Sequence, residues 1–273
     1  MNNPLRQYFR RPAIFFKLPS QGNFYPEGSL DLPDNKEIPI YPMTAIDEIT
    51  TKTPDALFNG TAVTDLIKSC APNIKDPWDI PVIDLDPLLI AIRIASTGNE
   101  MSISSNCPKC NEENSYSVNL TNLLPKNQSN QYDTILDLGE LKIKFKPISY
   151  KKIHEINMKQ FEIQTWLKNL ENITDDDERV KVSNETMEKL KITTLLLVSE
   201  IIDSISTPDL VVTEKDFILD FLKNCDKATH DKIKNTAIEL RKSSDLQPIK
   251  MKCLACENEY EQTLTLNVSD FFG

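Results

Sequence analysis

The hydrophobic residues of this chain follow two different periods. Around residues 101–120 and 249–266, apolar and polar residues alternate, as in Met101-Ser-Ile-Ser and Ile249-Lys-Met-Lys. Such alternation is typical of half-buried β-strands. Over most of the remaining chain, apolar residues recur every three or four positions, which is the period of an amphipathic helix. The pattern predicts an α+β fold, with a mostly helical domain and short β-hairpins.

Capping residues, prolines and glycines indicate where the helices begin and end. Thr44 is predicted to cap the first helix, and Thr213 with Asp216 is predicted to cap the sixth. The acidic run at 175–178 is predicted to be a solvated connector, because it lacks the spacing and the glycine of an EF-hand calcium loop. The predicted helices lie at about 44–53, 59–71, 84–97, 150–172, 183–206, 214–224 and 229–242.

Five regions follow from this pattern. Residues 1–42 are rich in proline and aromatic residues, and an extended N-terminal arm is predicted there. A helical region at 43–98 precedes residues 99–147, which hold a cysteine pair and a β-hairpin. A helical insertion is predicted at 148–245, and residues 246–273 hold a second cysteine pair and a C-terminal tail.

Composition and charge narrow the class of protein. The 273 residues are 40% hydrophobic and 26% charged, which is ordinary for a globular chain. No apolar run approaches the roughly 20 residues that cross a bilayer, so no membrane partner is expected. The net charge of −10 disfavours nucleic acid, because phosphate binding needs a positive field. Proteins are the expected partners.

Two C-x-x-C pairs use four of the six cysteines: Cys107 with Cys110, and Cys253 with Cys256. Each pair is flanked by strand-like segments, and neither begins a helix as a thioredoxin-like redox site does. One such turn supplies two thiolates, whereas tetrahedral Zn²⁺ needs four ligands. The sequence therefore predicts two β-hairpin knuckles that share one structural zinc ion, forming a split zinc ribbon.

The cost of bringing the two pairs together is smaller than the gain from the metal. About 140 residues separate the pairs, and closing such a loop costs about 4 kcal/mol. A structural zinc site contributes on the order of 10 kcal/mol or more. Iron in a rubredoxin-like site and metal-free cysteine pairs are the alternatives. Knuckle turns favour glycine after the second cysteine, but Asn111 and Glu257 stand there.

Motifs for catalysis are missing from the sequence. The chain has six glycines and two histidines, and it shows no phosphate-binding glycine loop, no H-E-x-x-H and no nucleophile elbow. A closed site of four thiolates also leaves no open position for a substrate. We therefore expect a protein that is not an enzyme and that has no small-molecule substrate. The alternative function is a zinc-ribbon nucleic-acid-binding or transcription-associated protein.

Several separated stretches resemble one family. They are "LPSQGNFYPEG", "MTAIDEITTKTPDALFNGTAV", "DLDPLLIAIRIASTGNEMSI", "CPKCNEEN" and "CLACENEYEQTLTLNVSDFFG". Together they resemble the baseplate hub subunits and hub assembly chaperones of T-even-like contractile-tailed bacteriophages, over residues 17–120 and 200–273. The resemblance implies no catalysis and a role in tail assembly through other baseplate hub and tail proteins, in the cytoplasm of the infected host cell. It leaves open whether the protein stays in the virion tail baseplate.

Two surfaces are predicted to contact hub proteins. One is the arm, which is basic and aromatic, and the other is the stretch from Lys52 to Asn59. The alternative for both is that they pack on this chain's own helices. The arm residues predicted to bind a partner are Arg10, Arg11, Phe15, Phe16, Phe24 and Tyr25.

Overall fold

The computed structural model describes residues 3–124, 132, 134–169, 175–244, 246, 248–264, 266 and 271–272. Within these residues the chain is mostly helical and carries small antiparallel sheets, so the predicted α+β class is confirmed. The chain forms two compact units. The first combines residues 1–129 with 245–273, and the second comprises residues 130–244. The chain thus leaves the first unit, forms the second, and returns.

The first unit contains four helices and three two-stranded sheets in its described residues. Its sheets pair β1 with β2, β3 with β4 and β9 with β10, each antiparallel. The elements are β1 (Ile14–Lys17), β2 (Glu37–Ile40), α1 (Ala45–Thr51), α2 (Pro54–Phe58), α3 (Thr61–Cys70), α4 (Val82–Thr97), β3 (Glu100–Asn106), β4 (Glu113–Asn119), β9 (Ile249–Lys252) and β10 (Glu259–Gln262). Short 3₁₀ turns lie at Pro4–Tyr8, Pro77–Asp79 and Leu120–Asn122.

Local sequence signals explain the helix boundaries of this unit. Thr44 caps α1 as predicted, and a capping box with Asp47 satisfies two backbone N–H groups at the helix start. Helix α4 ends at Thr97, and Gly98 at its C-cap has a φ of 90°, which is accessible to glycine at little cost. Pro54 begins α2 rather than a loop, because proline is favoured at the first position of a helix.

The N-terminal segment is packed more closely than the predicted extended arm. Strands β1 and β2 pair with Phe16 opposite Ile38, and both side chains are buried. Leu18 and Ile40 are fully buried as well, together with apolar residues of α3 and α4. These residues belong to the core of the first unit, so the predicted extended N-terminal arm is not confirmed. Alternation over two short strands of four residues was too weak a signal to reveal this pairing.

The second unit contains one four-stranded antiparallel sheet and four helices in its described residues. The strand order is β5-β6-β7-β8, and Ile143 of β6 lies opposite Leu136 and Ile205 of its neighbours. The elements are β5 (Ile135–Asp137), β6 (Lys142–Phe145), α5 (Tyr150–Asn169), α6 (Asp176–Ile201), β7 (Ile202–Ser206), β8 (Val211–Val212), α7 (Lys215–Asn224) and α8 (Lys227–Ser244). The β5–β6 hairpin lies in this unit because β6 pairs with β7.

Helix α6 departs most from the prediction. A helix was predicted at 183–206, but α6 ends at Ile201 and the chain continues directly as β7. The acidic connector predicted at 175–178 is wrong, since Asp175 accepts a hydrogen bond of 2.9 Å from the backbone N–H of Glu178 and α6 begins at Asp176. Carboxylates are favourable at a helix N-terminus because of the helix dipole. The predicted cap of α7 is also wrong, because Glu214 takes the N-cap position without a side-chain hydrogen bond.

Candidate metal centre

The two cysteine pairs sit in turns of the same construction. In the β3–β4 turn, the N–H of Cys107 donates to the carbonyl of Glu112 at 2.9 Å, and the N–H of Asn111 donates to the carbonyl of Cys107 at 2.8 Å. In the β9–β10 turn, Cys253 bonds to Asn258 at 2.9 Å, and Glu257 bonds to Cys253 at 3.0 Å, in the same pattern. The two turns therefore share one hydrogen-bonding pattern, and each lies in a β-hairpin as predicted.

The residue after the second cysteine of each pair adopts a left-handed backbone conformation. Asn111 has a φ of 59° and Glu257 a φ of 56°. Both turns thus require the backbone conformation that explains why glycine is favoured there. Asparagine adopts this region more readily than glutamate, so the second knuckle carries the greater strain.

The hairpins bring the four cysteine sulfurs into one cluster. All four Sγ atoms lie within 4.8 Å of one another. The Cys107 and Cys256 sulfurs are 3.7 Å apart, and those of Cys110 and Cys253 are 3.6 Å apart. Each close pair therefore joins one knuckle to the other. This arrangement could bind one metal ion between the hairpins.

Backbone N–H donors favour the thiolate form of Cys253 and Cys107. At Cys110, the Glu112 backbone N–H lowers the pKa, but hydrogen bonds with the neighbouring sulfurs outweigh it and raise the pKa to about 12. The backbone N–H of Cys256, followed by that of Ala255, lowers the pKa of the Cys253 thiol to about 6. Burial alone would raise the pKa of Cys107, but the backbone N–H groups of Cys110 and Lys109 outweigh it and leave that pKa below its usual value. A thiolate is the form of cysteine that binds metals.

Contacts along the strands hold the hairpins together. The Tyr116 hydroxyl donates to the carbonyl of Lys252 at 3.0 Å and lies 3.4 Å from the Tyr260 hydroxyl. Ser105 of β3 donates to the side chain of Gln262 in β10 at 3.0 Å. These residues carry no recognisable signal in the sequence, because the pairing joins segments that are remote along the chain.

Three of the predicted partner-binding residues make contacts within the chain. Arg10 donates to the Ser69 carbonyl and hydroxyl at 2.8 and 2.7 Å, and it forms an ion pair of 3.4 Å with Asp47. Phe16 is buried in the core, and the Tyr25 hydroxyl donates to Asp84 at 3.0 Å. Their binding of a partner stays a prediction.

The other predicted contact residues lie at the surface. Arg11 is exposed, Phe15 is 63% exposed and Phe24 is 40% exposed. In the stretch from Lys52 to Asn59, the side chain of Phe58 is 53% exposed. Further large apolar side chains, which were not predicted as contact residues, are exposed nearby along the chain, namely Leu5, Tyr8, Phe9, Ile46 and Ile49.

Comparison with known proteins identifies the family. No helix in the described part of the chain has the length and apolarity of a membrane span. No curated protein and no solved structure matches the chain. The family model of the T4 bacteriophage base plate protein matches residues 25–273. Because this match spans most of the sequence, the chain belongs to the T4 bacteriophage base plate protein family.

Proposed function

We propose that this protein is a non-enzymatic component of phage tail morphogenesis, which helps to assemble the baseplate central hub, or forms part of it, through contacts with other tail proteins. Membership of the base plate family carries the proposal. The acidic net charge of −10 and the exposed apolar side chains of the N-terminal segment support partners that are proteins. The protein acts in the host cell cytoplasm during assembly, before or as it joins the virion tail.

The metal of the cysteine cluster is proposed to be one structural zinc ion. A zinc–sulfur bond of about 2.3 Å in a tetrahedron requires sulfur atoms about 3.8 Å apart. The separations of 3.7 Å between Cys107 and Cys256 and of 3.6 Å between Cys110 and Cys253 support this geometry. When bound, zinc would supply no catalysis, only a cross-link between the two knuckles. Iron has the same four-thiolate preference, and elemental analysis of the purified protein distinguishes the two metals.

The contact surface is proposed to comprise the exposed residues between positions 5 and 15, which we call the N-terminal patch. It combines apolar side chains with two exposed arginines, and its members are Leu5, Arg6, Tyr8, Phe9, Arg11 and Phe15. No acidic residue lies in the first 26 positions, whereas the whole chain is acidic. A partner with an apolar groove and an acidic rim complements this patch. Arg10 is not included, because its guanidinium is used within the chain.

Co-purification with hub proteins tests the patch. The variant Tyr8→Ser/Arg11→Glu/Phe15→Ser removes exposed groups only, so it should fold normally and lose most of its hub-protein binding. Ile46→Ser/Ile49→Ser is the matched control, since these side chains are 75% and 67% exposed on α1 outside the patch. Undiminished co-purification of the triple variant, or an equal loss in the control, would contradict the assignment of the patch.

The nucleic-acid alternative makes an opposite prediction. A ribbon that binds phosphates is retained on DNA or RNA, and the retention falls steeply as salt rises. The β10 strand carries Glu259 and Glu261, and β4 begins with Glu113, so the hairpins present acidic groups that oppose phosphate binding. We expect no salt-dependent retention of the metal-loaded protein. Retention that falls as salt rises would favour the alternative.

A further inference from the structure

Asn114 is a buried polar residue at the boundary between the two knuckles. It lies near the start of β4, opposite Ser105 of β3, and only 3% of the residue is exposed. A buried amide is costly unless its hydrogen-bonding groups find partners. The partners of Asn114 are therefore informative.

Two of the three hydrogen bonds of Asn114 cross to the other hairpin. Its Nδ2 donates to the carbonyl of Glu112 at 2.9 Å and to the Cys253 sulfur at 3.6 Å, while its Oδ1 accepts the backbone N–H of Leu254 at 2.9 Å. These partners also fix the orientation of the amide, because a carbonyl needs a donor and a backbone N–H needs an acceptor.

The crossing contacts select one placement of the second knuckle. If the β9–β10 turn moved away, the Asn114 Oδ1 would lose the Leu254 N–H, and one N–H of its Nδ2 would lose the Cys253 sulfur. A polar group left without a hydrogen-bond partner in a buried site is strongly unfavourable. The reciprocal contact is weaker, since Nδ2 of Asn258 lies 4.0 Å from the Cys107 sulfur. Of the two amide–sulfur contacts between the hairpins, that of Asn114 is therefore the shorter.

We propose that Asn114 is a positioning residue for the metal centre, which docks the Cys253 turn against the first knuckle and holds the Cys253 sulfur in place for the ion. This inference rests on the proposed metal site. Its chemical basis is that an N–H donor stabilises the negative charge of a bound thiolate, and such outer partners typically change metal affinity by about 10- to 100-fold. The chain offers this donor from a side chain 139 residues away in sequence.

Two variants separate the parts of this role. Asn114→Ala removes all three hydrogen bonds, whereas Asn114→Asp keeps the acceptor for Leu254 and loses the donor to sulfur. The control is Asn106→Ala, an exposed residue at the end of β3. Each full-length protein is loaded with zinc, and the rate of zinc transfer to a coloured chelator is measured. Cobalt-loaded samples report the sulfur-to-metal charge-transfer spectrum of the same site.

We expect Asn114→Ala and Asn114→Asp to release zinc at least about 10-fold faster than wild type and to alter the cobalt spectrum, with Asn106→Ala unchanged. Release at the wild-type rate from both Asn114 variants would overturn the inference. A wild-type protein that binds no stoichiometric ion would instead overturn the proposed metal site. In that case, hydrogen exchange of the Leu254 amide still tests Asn114, because protection should fall in Asn114→Ala and persist in Asn114→Asp, and unchanged protection in Asn114→Ala would overturn the docking role.

Discussion

Asp84 is the clearest case of a single residue whose role depends on its burial. Its carboxylate is fully buried and accepts hydrogen bonds from the Ser20 backbone N–H at 2.7 Å, the Ser20 hydroxyl at 2.5 Å and the Tyr25 hydroxyl at 3.0 Å. Burial raises the pKa of Asp84 to about 6, although these donors oppose the shift. In sequence, Asp84 looks like an ordinary acidic residue near a helix start, so its anchoring of the 20–25 loop could not be predicted.

The raised pKa predicts an unusual pH dependence of stability. Because the folded-state pKa of Asp84 lies above the ordinary value of 3.8, the folded state holds this proton more tightly than the unfolded state. The contribution of Asp84 is therefore greatest below about pH 4 and is lost as pH rises through about 6. Asparagine does not ionise, so Asp84→Asn should gain stability relative to wild type between pH 4.5 and pH 7.

Urea unfolding at pH 4.5 and pH 7 measures the difference in unfolding free energy between Asp84→Asn and wild type. Protonation of the cysteines affects both of these proteins equally, so it cancels in the difference. Asp65→Asn is the control, since Asp65 is exposed on α3. Its difference in unfolding free energy from wild type should not change with pH. A wild-type advantage that grows with pH would contradict the assigned role of the Asp84 carboxyl.

Glu257 provides a second prediction at the level of one residue. Its left-handed φ of 56° costs a side-chain-bearing residue about 1 kcal/mol relative to glycine. Its ion pair with Lys252 is 3.3 Å long but exposed, so little stability is lost with the side chain. Glu257→Gly should raise the free energy of unfolding by about 0.5 to 1 kcal/mol, measured by urea titration of the metal-loaded protein. Asn111→Gly should raise the free energy of unfolding by less. A lower free energy of unfolding in Glu257→Gly would show that the turn does not carry the expected strain.

Among the elements, those with local signals could be predicted and those fixed by remote partners could not. Helices α1 and α3 have a capping threonine, a proline or a short apolar period within a few residues, and their positions were predicted. The change from helix α6 to strand β7 at Ile202 was not predicted, because β7 is a strand only through its pairing with β6 and β8. The cysteine cluster follows the same division: C-x-x-C between alternating segments is a local signal, whereas Asn114 contacts Leu254 and Cys253, which are remote along the chain.

Lys215 of α7 explains how α6 can end without a loop. Its ammonium donates to the carbonyls of Ser199 (2.9 Å), Glu200 (3.4 Å) and Ile202, which lie at the end of α6 and the start of β7. The last carbonyls of a helix lack partners within the helix, and a cation there also interacts favourably with the helix dipole. Burial lowers the pKa of Lys215 to about 8, so most of the side chain is still a protonated ammonium at pH 7 and can donate.

Removing this ammonium should destabilise the second unit. Lys215→Met keeps the aliphatic stem but removes the charged donor to the carbonyls at the end of α6. It should therefore lower the free energy of unfolding by about 2 kcal/mol. Lys223→Met on the same helix is exposed and should change stability by less than about 0.5 kcal/mol. Thermal or urea unfolding followed by far-ultraviolet circular dichroism measures both. Equal effects of the two substitutions would contradict the cap.

At the scale of the whole molecule, the first unit is built from two separate chain segments, and the cysteine cluster joins them. Cys107 and Cys110 belong to the segment 1–129, and Cys253 and Cys256 belong to the segment 245–273. The second unit has its own sheet and buried core, including Ile143, Phe145, Ile205 and Ile218. A metal ion at the cluster would therefore stabilise the first unit selectively, by fixing β9 and β10 against β3 and β4.

Metal removal should thus affect the two units unequally. We expect that chelation, or Cys256→Ser, leaves less than one ion per chain and strongly increases amide hydrogen exchange across β9 and β10, since structural zinc contributes its binding energy to folding. Amides of α5 and α7 should keep their protection, because these helices pack within the second unit. Cys225→Ser is the matched control, a thiol in the second unit outside the cluster. Uniform loss of protection in both units, or unchanged exchange in β9 and β10, would mean that the cluster does not hold the returning chain in place.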